Sequence, residues 1–200
     1  MKKTILGSLV STFILTGCSM SPITLPSNVS TVPTGMGQST YIDHVNYSFI
    51  PSKIVSFDNV KACAVTVFTN DGVMLMDNAG SFFGAYTGNY YQKQNSQYIN
   101  GGNVFKYVDD KNNILIATGN KKTRPQQAGL VTDIVKYDAK VVLKNNQIEL
   151  IFQNIGAAQE STGSIKNSGF RQIGTWSGAR APAALDTLQM LSNGFKDCLN

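Results

Sequence analysis

The side chains that most often carry out catalysis are scarce in this sequence of 200 residues. His44 is the only histidine, and the sequence contains neither the GxSxG pattern of a nucleophilic serine nor the metal-binding HExxH pattern. A cysteine nucleophile would need Cys63 or Cys198 to be free and beside a histidine. The adjacent carboxylates Asp109 and Asp110 are more typical of a turn than of acid–base catalysis. The sequence therefore predicts a protein that is not an enzyme and that has no catalytic, metal or cofactor site.

The N-terminus has the pattern of a bacterial export signal. Two lysines, at positions 2 and 3, precede an uncharged apolar run over residues 4–15. The run is shorter than the roughly 20 residues that a transmembrane helix needs, but this length is typical of a signal peptide. It ends in Leu15-Thr16-Gly17-Cys18, which resembles the lipobox of bacterial lipoproteins.

This resemblance implies that residues 1–17 are removed and that Cys18 becomes the mature N-terminus. It also implies a diacylglyceryl thioether and an N-acyl chain on Cys18, and two or three chains hold a protein stably at about 0.8 kcal/mol per buried methylene. Ser19 follows the cysteine, whereas an aspartate would resemble an inner-membrane retention signal. We therefore expect a lipid-anchored protein of the bacterial cell envelope, in the outer membrane. An ordinary secretory signal with an incidental cysteine is the alternative.

Two cysteines remain once Cys18 is used for lipidation. In an oxidising compartment, Cys63 and Cys198 most simply form a disulfide, which would stabilise the fold by about 5 kcal/mol. Two buried free thiols are the alternative.

The net charge gives no indication of nucleic-acid binding. Loss of residues 1–17 removes two lysines and lowers the formal net charge from +5 to +3. The remaining cations are scattered rather than arranged in a basic stripe. We therefore expect contacts with the membrane and with an envelope protein, and none with nucleic acid.

An aromatic tract over residues 82–98 is the first candidate binding segment. It contains Tyr86, Tyr90, Tyr91 and Tyr98 among many amide side chains, a composition that suits contacts with proteins or with sugar rings. The alternative is that Phe82, Phe83 and some tyrosines fill the core beneath a loop.

A short basic segment is the second candidate. Lys121, Lys122 and Arg124 lie in a predicted loop, where they could contact anionic lipid head groups or a phosphate. A solvated loop without a ligand is the alternative.

The first part of the chain predicts a tether followed by strands. Residues 19–40 contain three prolines and many small polar residues, which is typical of an extended tether with a reach of about 70 Å. Alternating apolar residues predict strands at 54–57 and 62–69, and Asn70-Asp71-Gly72 predicts a hairpin turn to a strand at 73–76. Residues 78–103 predict an irregular helix or a loop.

The second part predicts two further hairpins and a helix. Strands at 104–108 and 114–118 flank an Asp/Asn-rich turn, and Asn145-Asn146 turns a long amphipathic hairpin over residues 134–155. After Pro182, apolar residues recur at helical spacing as far as Cys198.

These elements predict an α+β fold, with an antiparallel sheet of about five to six strands and a C-terminal helix on one face. The domain is expected to span residues 41–200. A strand pair containing ILIATG, followed by the hairpin YDAKVVLKNNQIELIFQNI, resembles the TBP-like domains of small bacterial secreted proteins. The resemblance spans residues 60–155 and implies no catalytic residues.

The sequence therefore predicts a non-catalytic binding or structural component of an envelope or surface assembly. A glycan- or lipid-binding lipoprotein that uses the aromatic tract is the alternative.

Overall fold

The computed structural model describes residues 21–35 and 37–200, so the predicted signal peptide and the lipidation of Cys18 lie outside the described residues. The strands of the described part are β1 (Val29–Pro33), β2 (Thr40–Phe49), β3 (Val73–Asp77), β4 (Phe82–Phe83), β5 (Tyr90–Tyr91), β6 (Asn95–Ile99), β7 (Phe105–Asp109), β8 (Ile114–Lys122), β9 (Asp133–Lys144) and β10 (Gln147–Gln159). The helices are α1 (Phe57–Val67) and α2 (Ala181–Leu199).

The long hairpin β9–β10 forms the centre of the main sheet, as the sequence predicts. Its two turn residues, Asn145 and Asn146, have φ values of 50° and 58°. A two-residue turn that matches the twist of its strands requires positive φ at both positions, and asparagine tolerates this conformation. The ladder then runs from the Lys144–Gln147 pair to the Asp133–Gln159 pair, with one irregularity near Asn154.

In the described residues the main sheet has six strands in the order β1-β2-β10-β9-β8-β7, and every neighbouring pair is antiparallel. Two small two-stranded sheets, β3–β6 and β4–β5, lie outside it. The predicted α+β class and the C-terminal helix are therefore confirmed.

Both helices cover one face of this sheet. Phe195 of α2 packs against Phe68, with ring centroids 5.1 Å apart, and Phe68 in turn meets Phe152 of β10 at 6.0 Å. All three rings are fully buried. Side chains of this size contribute most to core stability, so the helices and the central hairpin share one core.

The prediction of a strand at 62–69 is wrong, because these residues belong mostly to α1. Ser56 caps the helix: its hydroxyl accepts a hydrogen bond from the N–H of Asn59 at 3.2 Å, while the Asn59 side chain accepts one from the N–H of Ser56 at 3.1 Å. Val60, Cys63 and Ala64 then face the core at helical spacing. The alternating β-branched residues obscured this pattern, although the cap was a local signal for a helix.

Two neighbouring predictions are also wrong, because both assumed a strand where α1 lies. Residues 54–56 form no strand and lead into α1, and Phe57 is the first residue of that helix. Asn70-Asp71-Gly72 is not a hairpin turn, since β3 pairs with the distant strand β6.

The segment predicted to be a tether contains part of the fold. Residues 29–33 form the edge strand β1, and the side chains of Ile23 and Leu25 pack against the main core. The tether prediction is therefore wrong from about residue 21, and the domain begins well before Tyr41. The prolines are compatible with this arrangement because Pro33 ends an edge strand, where its missing N–H interrupts no central ladder.

The predicted Cys63–Cys198 disulfide is present and joins α1 to α2. The Cα atoms of the two cysteines are 5.8 Å apart, with 135 residues separating them in sequence. Cys63 reaches this position from a helix rather than from the strand that the sequence predicted. The bond links the first helix to the last, and Cys63 belongs to the main core.

We predict that Cys198→Ser lowers the free energy of unfolding by about 5 kcal/mol, because loss of the bond releases a very long loop in the unfolded chain. Urea denaturation without reductant measures the change. Both chains carry Cys18→Ser, so that neither is lipidated, and the chain with Cys18→Ser alone, which keeps the disulfide pair, is the matched control. Equal unfolding midpoints for these two chains would contradict the prediction.

Candidate functional site

A short hairpin carries exposed aromatic residues on both of its faces. Phe82 pairs with Tyr91 and Phe83 pairs with Tyr90 across β4–β5. The first two rings are stacked at 5.1 Å and 17°, and the second two are tilted at 4.9 Å and 46°. Because successive residues of a strand point to opposite faces, each face carries one ring pair. We call residues 82–91 the aromatic arm.

The rings of the aromatic arm are exposed rather than packed in the core. Phe83 is 72% exposed, Tyr90 51% and Tyr86, in the connecting turn, fully exposed. The alternative that Phe82 and Phe83 fill the core is therefore wrong. The predicted irregular helix or loop is also wrong here, because Gly84 and Gly88 close a tight hairpin through the hydrogen bond from Gly88 N–H to Gly84 O at 2.9 Å.

The arm is held firmly where it leaves the domain. One carboxylate oxygen of Asp77 accepts hydrogen bonds from Ala79 N–H at 2.9 Å and from the Asn95 side chain at 2.6 Å. The other oxygen accepts one from Asn167 N–H at 2.9 Å. The backbone N–H of Asn167 is the largest of the effects that lower the pKa of Asp77, followed by the bond from Asn95. These bonds form the root of the arm.

We predict that Asp77→Asn loosens this root. The substituted amide has one accepting oxygen instead of two, so either Asn167 or the pair Ala79 and Asn95 loses its acceptor. Amide hydrogen exchange at Ala79 or Asn167 should become roughly tenfold faster. Because the folded pKa of Asp77 is lowered, its contribution is present above the ordinary value of 3.8 and is lost as pH falls through the lowered value.

Asp110→Asn is the matched control for this substitution, since Asp110 is exposed and pairs with Lys61. Unchanged exchange at Ala79 and at Asn167 in the Asp77→Asn chain would show that the carboxylate does not hold the root.

The structure brings only part of the predicted aromatic site together. Tyr86, Tyr90 and Tyr91 belong to the arm, whereas Tyr98 lies on β6. The ring of Tyr98 is 62% exposed and covers Gly72 so closely that any side chain there would collide with it. Tyr98 is therefore a separate surface residue.

The predicted basic loop does not form one patch. Lys121 and Lys122 are the last two residues of β8, and Lys122 forms an ion pair with Glu160. Arg124 lines a different cavity, beside Pro182 and Met190 of α2. The three cations are thus distributed over two surfaces, and Lys122 is partly neutralised.

The other candidate titratable residues serve local structure. His44 lies on β2, where its ring nitrogen is 2.7 Å from a carboxylate oxygen of Asp43. Asp109 closes the turn after β7 by accepting hydrogen bonds from the N–H groups of Lys111 and Asn112. Hydrogen bonds from Asn112 lower the pKa of Asp109.

A groove beside the N-terminus of α2 was not predicted from the sequence. The open cavity has a volume of about 390 Å³ and lies between the end of β10, residues 162–176 and the start of α2. At one side, Arg180 forms two bonds with the buried carboxylate of Asp133, at 2.6 and 2.8 Å. Lys166 and Arg171 are exposed around it. We call this cavity the Trp176 groove, after the ring that forms one wall.

The position of Trp176 depends on small and on distant residues. Its ring covers Gly174 at a distance that leaves no room for a Cβ atom, and it contacts the ring of Tyr41 at 5.7 Å. On its far side, Trp176 and Pro22 help to line a second cavity of about 150 Å³. No local pattern in the sequence could predict this arrangement, because the three segments are far apart in the chain.

Residues 21–35 and 37–200 contain no group of three or more side chains placed to hold a metal ion. None of the helices in this same part of the chain is long and apolar enough to cross a membrane.

Comparison with known proteins identifies no significant match to this chain. The chain matches no protein-family model, and neither a curated protein nor a solved structure is significantly similar to it.

Proposed function

We propose that this protein is a lipid-anchored, non-catalytic binding component of an assembly in the bacterial cell envelope, in the outer membrane. The lipobox-like run that ends at Cys18 supports the anchor. The observation that carries the binding role is the aromatic arm, because it exposes five rings on a hairpin with a firmly bonded root. Exposed apolar clusters of this kind mark interaction sites.

The geometry of the arm favours a protein partner. A flat ligand could cover one ring pair, but the Phe82–Tyr91 and Phe83–Tyr90 pairs lie on opposite faces of the hairpin. A partner with a groove can bury both faces at once and can also enclose Tyr86 at the turn. Tyrosine and phenylalanine in such pockets contribute a large part of the binding energy at protein interfaces.

The shifted titratable groups support a non-catalytic role. Asp77 and Asp109 hold a root and a turn. Burial raises the pKa of Asp138, but hydrogen bonds from Lys106, Asn154 and Thr118 outweigh this effect and leave the pKa lowered. Each of these carboxylates therefore has a structural partner.

Photo-crosslinking in living cells tests the proposal. A photoreactive residue at position 83 or 86 should give one discrete crosslinked protein. The same residue at position 54 or 107 is the control, because Ile54 and Tyr107 are also exposed but lie outside the arm. Phe83→Ser combined with Tyr90→Ser should weaken the crosslink from position 86 by at least about tenfold.

Two results would overturn the protein-partner proposal. One is the absence of any crosslinked protein from positions 83 and 86, and the other is the same set of products from the arm and from the control positions.

A glycan ligand is the second candidate, and the nearly parallel Phe82–Tyr91 pair favours it. Each ring has an outward face, and sugar rings stack on such faces. If a glycan is the ligand, Tyr91→Ala should reduce the affinity for envelope polysaccharide at least about tenfold in calorimetric titration, whereas Tyr107→Ala should leave it unchanged. Binding that survives Tyr91→Ala would place the glycan site elsewhere.

A further inference from the structure

The first described residues are bonded directly to the wall of the Trp176 groove. Ser177 N–H donates a hydrogen bond to the carbonyl oxygen of Ser21 at 2.9 Å, and Ile23 N–H donates one to Thr175 O at 2.9 Å. Between them, Pro22 forms a bridge with Trp176. The chain therefore joins the fold at this groove and not at a distant point.

Only two residues lie between Cys18 and Ser21, so three steps from one Cα atom to the next join them. At about 3.6 Å per residue, the Cα atoms of these two residues can be no more than about 11 Å apart. The inference drawn from this limit rests on the proposed lipidation of Cys18, which would place that residue at the membrane surface. A reach of about 11 Å is too short to hold the groove far from the lipid head groups.

We infer that the domain docks directly on the bilayer that holds its lipid anchor, with Trp176, Lys166 and Arg171 against the lipid head groups. The ligand of the Trp176 groove is then the phosphate of an anionic lipid. The anchored domain lies on the membrane surface instead of searching for a partner at the end of a tether.

The side chains of this face suit a membrane surface. Tryptophan and tyrosine rings are enriched at the boundary between hydrocarbon and water, and Trp176 packs on Tyr41. Arg171 lines both the Trp176 groove and the neighbouring cavity, which contains Lys136 and the carboxylate of Asp43 that is bonded to His44. A guanidinium group binds phosphate oxygens through two parallel hydrogen bonds, so Arg171 is the principal phosphate ligand of this face.

The two cations at the groove have no bonded partner of opposite charge, whereas nearby carboxylates do. Within the described residues, the side chains of Lys166 and Arg171 form no ion pair or hydrogen bond, although the charge of Lys166 contributes to the lowered pKa of Asp77. In contrast, Asp133 is bonded to Arg180 and Glu160 to Lys122. The face therefore presents two cations without a bonded carboxylate to an anionic surface.

Docking also determines where the aromatic arm meets its partner. Asn167 lines the groove, and its N–H holds the Asp77 carboxylate at the root of the arm. The arm therefore leaves the domain from the end that faces the bilayer. Its partner is expected in the same membrane or at its surface.

Trp176 is the only tryptophan in the chain, so its fluorescence reports on this face alone. The lipidated full-length mature protein is reconstituted in vesicles that contain phosphatidylglycerol and phosphatidylethanolamine, with bromine atoms at known depths in the acyl chains. We expect the shallowest bromines to lower the Trp176 emission about twofold and the deepest to have little effect, as for an interfacial ring. In vesicles of phosphatidylcholine alone, quenching should be weaker.

Charge substitutions test the phosphate contacts. Lys166→Gln with Arg171→Gln should reduce the docking equilibrium constant roughly 25-fold, at about fivefold for each cation near an anionic membrane. Lys53→Gln with Lys144→Gln is the matched control, because Lys144 ends β9 about 36 Å along that strand from Asp133. The control pair should leave quenching unchanged.

The outcomes separate this inference from the proposed function. Acylated Cys18 in the mass spectrum together with unquenched Trp176 would overturn the docking and leave the anchor intact. A mature chain without acyl groups on Cys18 would overturn the proposed anchor. Equal quenching in both charge-substituted chains, or in both kinds of vesicle, would overturn the assignment of an anionic lipid as the ligand.

Discussion

The burial of one face of the β9–β10 hairpin beneath the two helices is the constraint on which the rest of the structure depends. Phe152 lies at the centre of this contact and meets Phe68, which in turn meets Phe195. Edge-to-face and tilted contacts between rings add specificity to the large apolar area that they bury. Because the disulfide joins α1 to α2 beside this core, the two helices that cover the sheet are also covalently connected.

This core holds the candidate binding surfaces at one end of the sheet. Asp133 begins β9 and Gln159 ends β10, and both line the Trp176 groove. β3 reaches the same end, where Met76 N–H donates a hydrogen bond to Glu160 O at 2.8 Å. The arm and the groove are therefore extensions of a packed scaffold, and their positions follow from the ends of its strands.

The two surfaces have different chemistry and suit different contacts. The arm presents aromatic rings on both faces, which a protein groove can bury. The groove combines one indole ring with cations, which suits a boundary between hydrocarbon and phosphate. A lipid at Cys18 would bring the second surface to the membrane through a very short connection, and it would give the first surface a defined height above that membrane.

The sequence by itself determined the elements whose signals are local. The asparagine pair and the alternation on either side of it predicted β9–β10, since turn conformation and strand period depend on nearby residues. The apolar stripe after Pro182 predicted α2, and the cysteine count predicted the disulfide. These signals also sufficed for the α+β class.

Only the tertiary structure decided the features that depend on distant partners. The stretch after Ser56 carries both strand-like alternation and helical spacing, and burial of Val60 and Ala64 in the main core selected the helix. The proline-rich N-terminal segment became an edge strand because β2 offered an unpaired backbone. The exposure of Phe83 and the position of Trp176 likewise depend on what lies beside each ring, which no periodicity in the sequence records. Packing between distant segments therefore determined the candidate binding surfaces, whereas local conformational preference determined most of the scaffold.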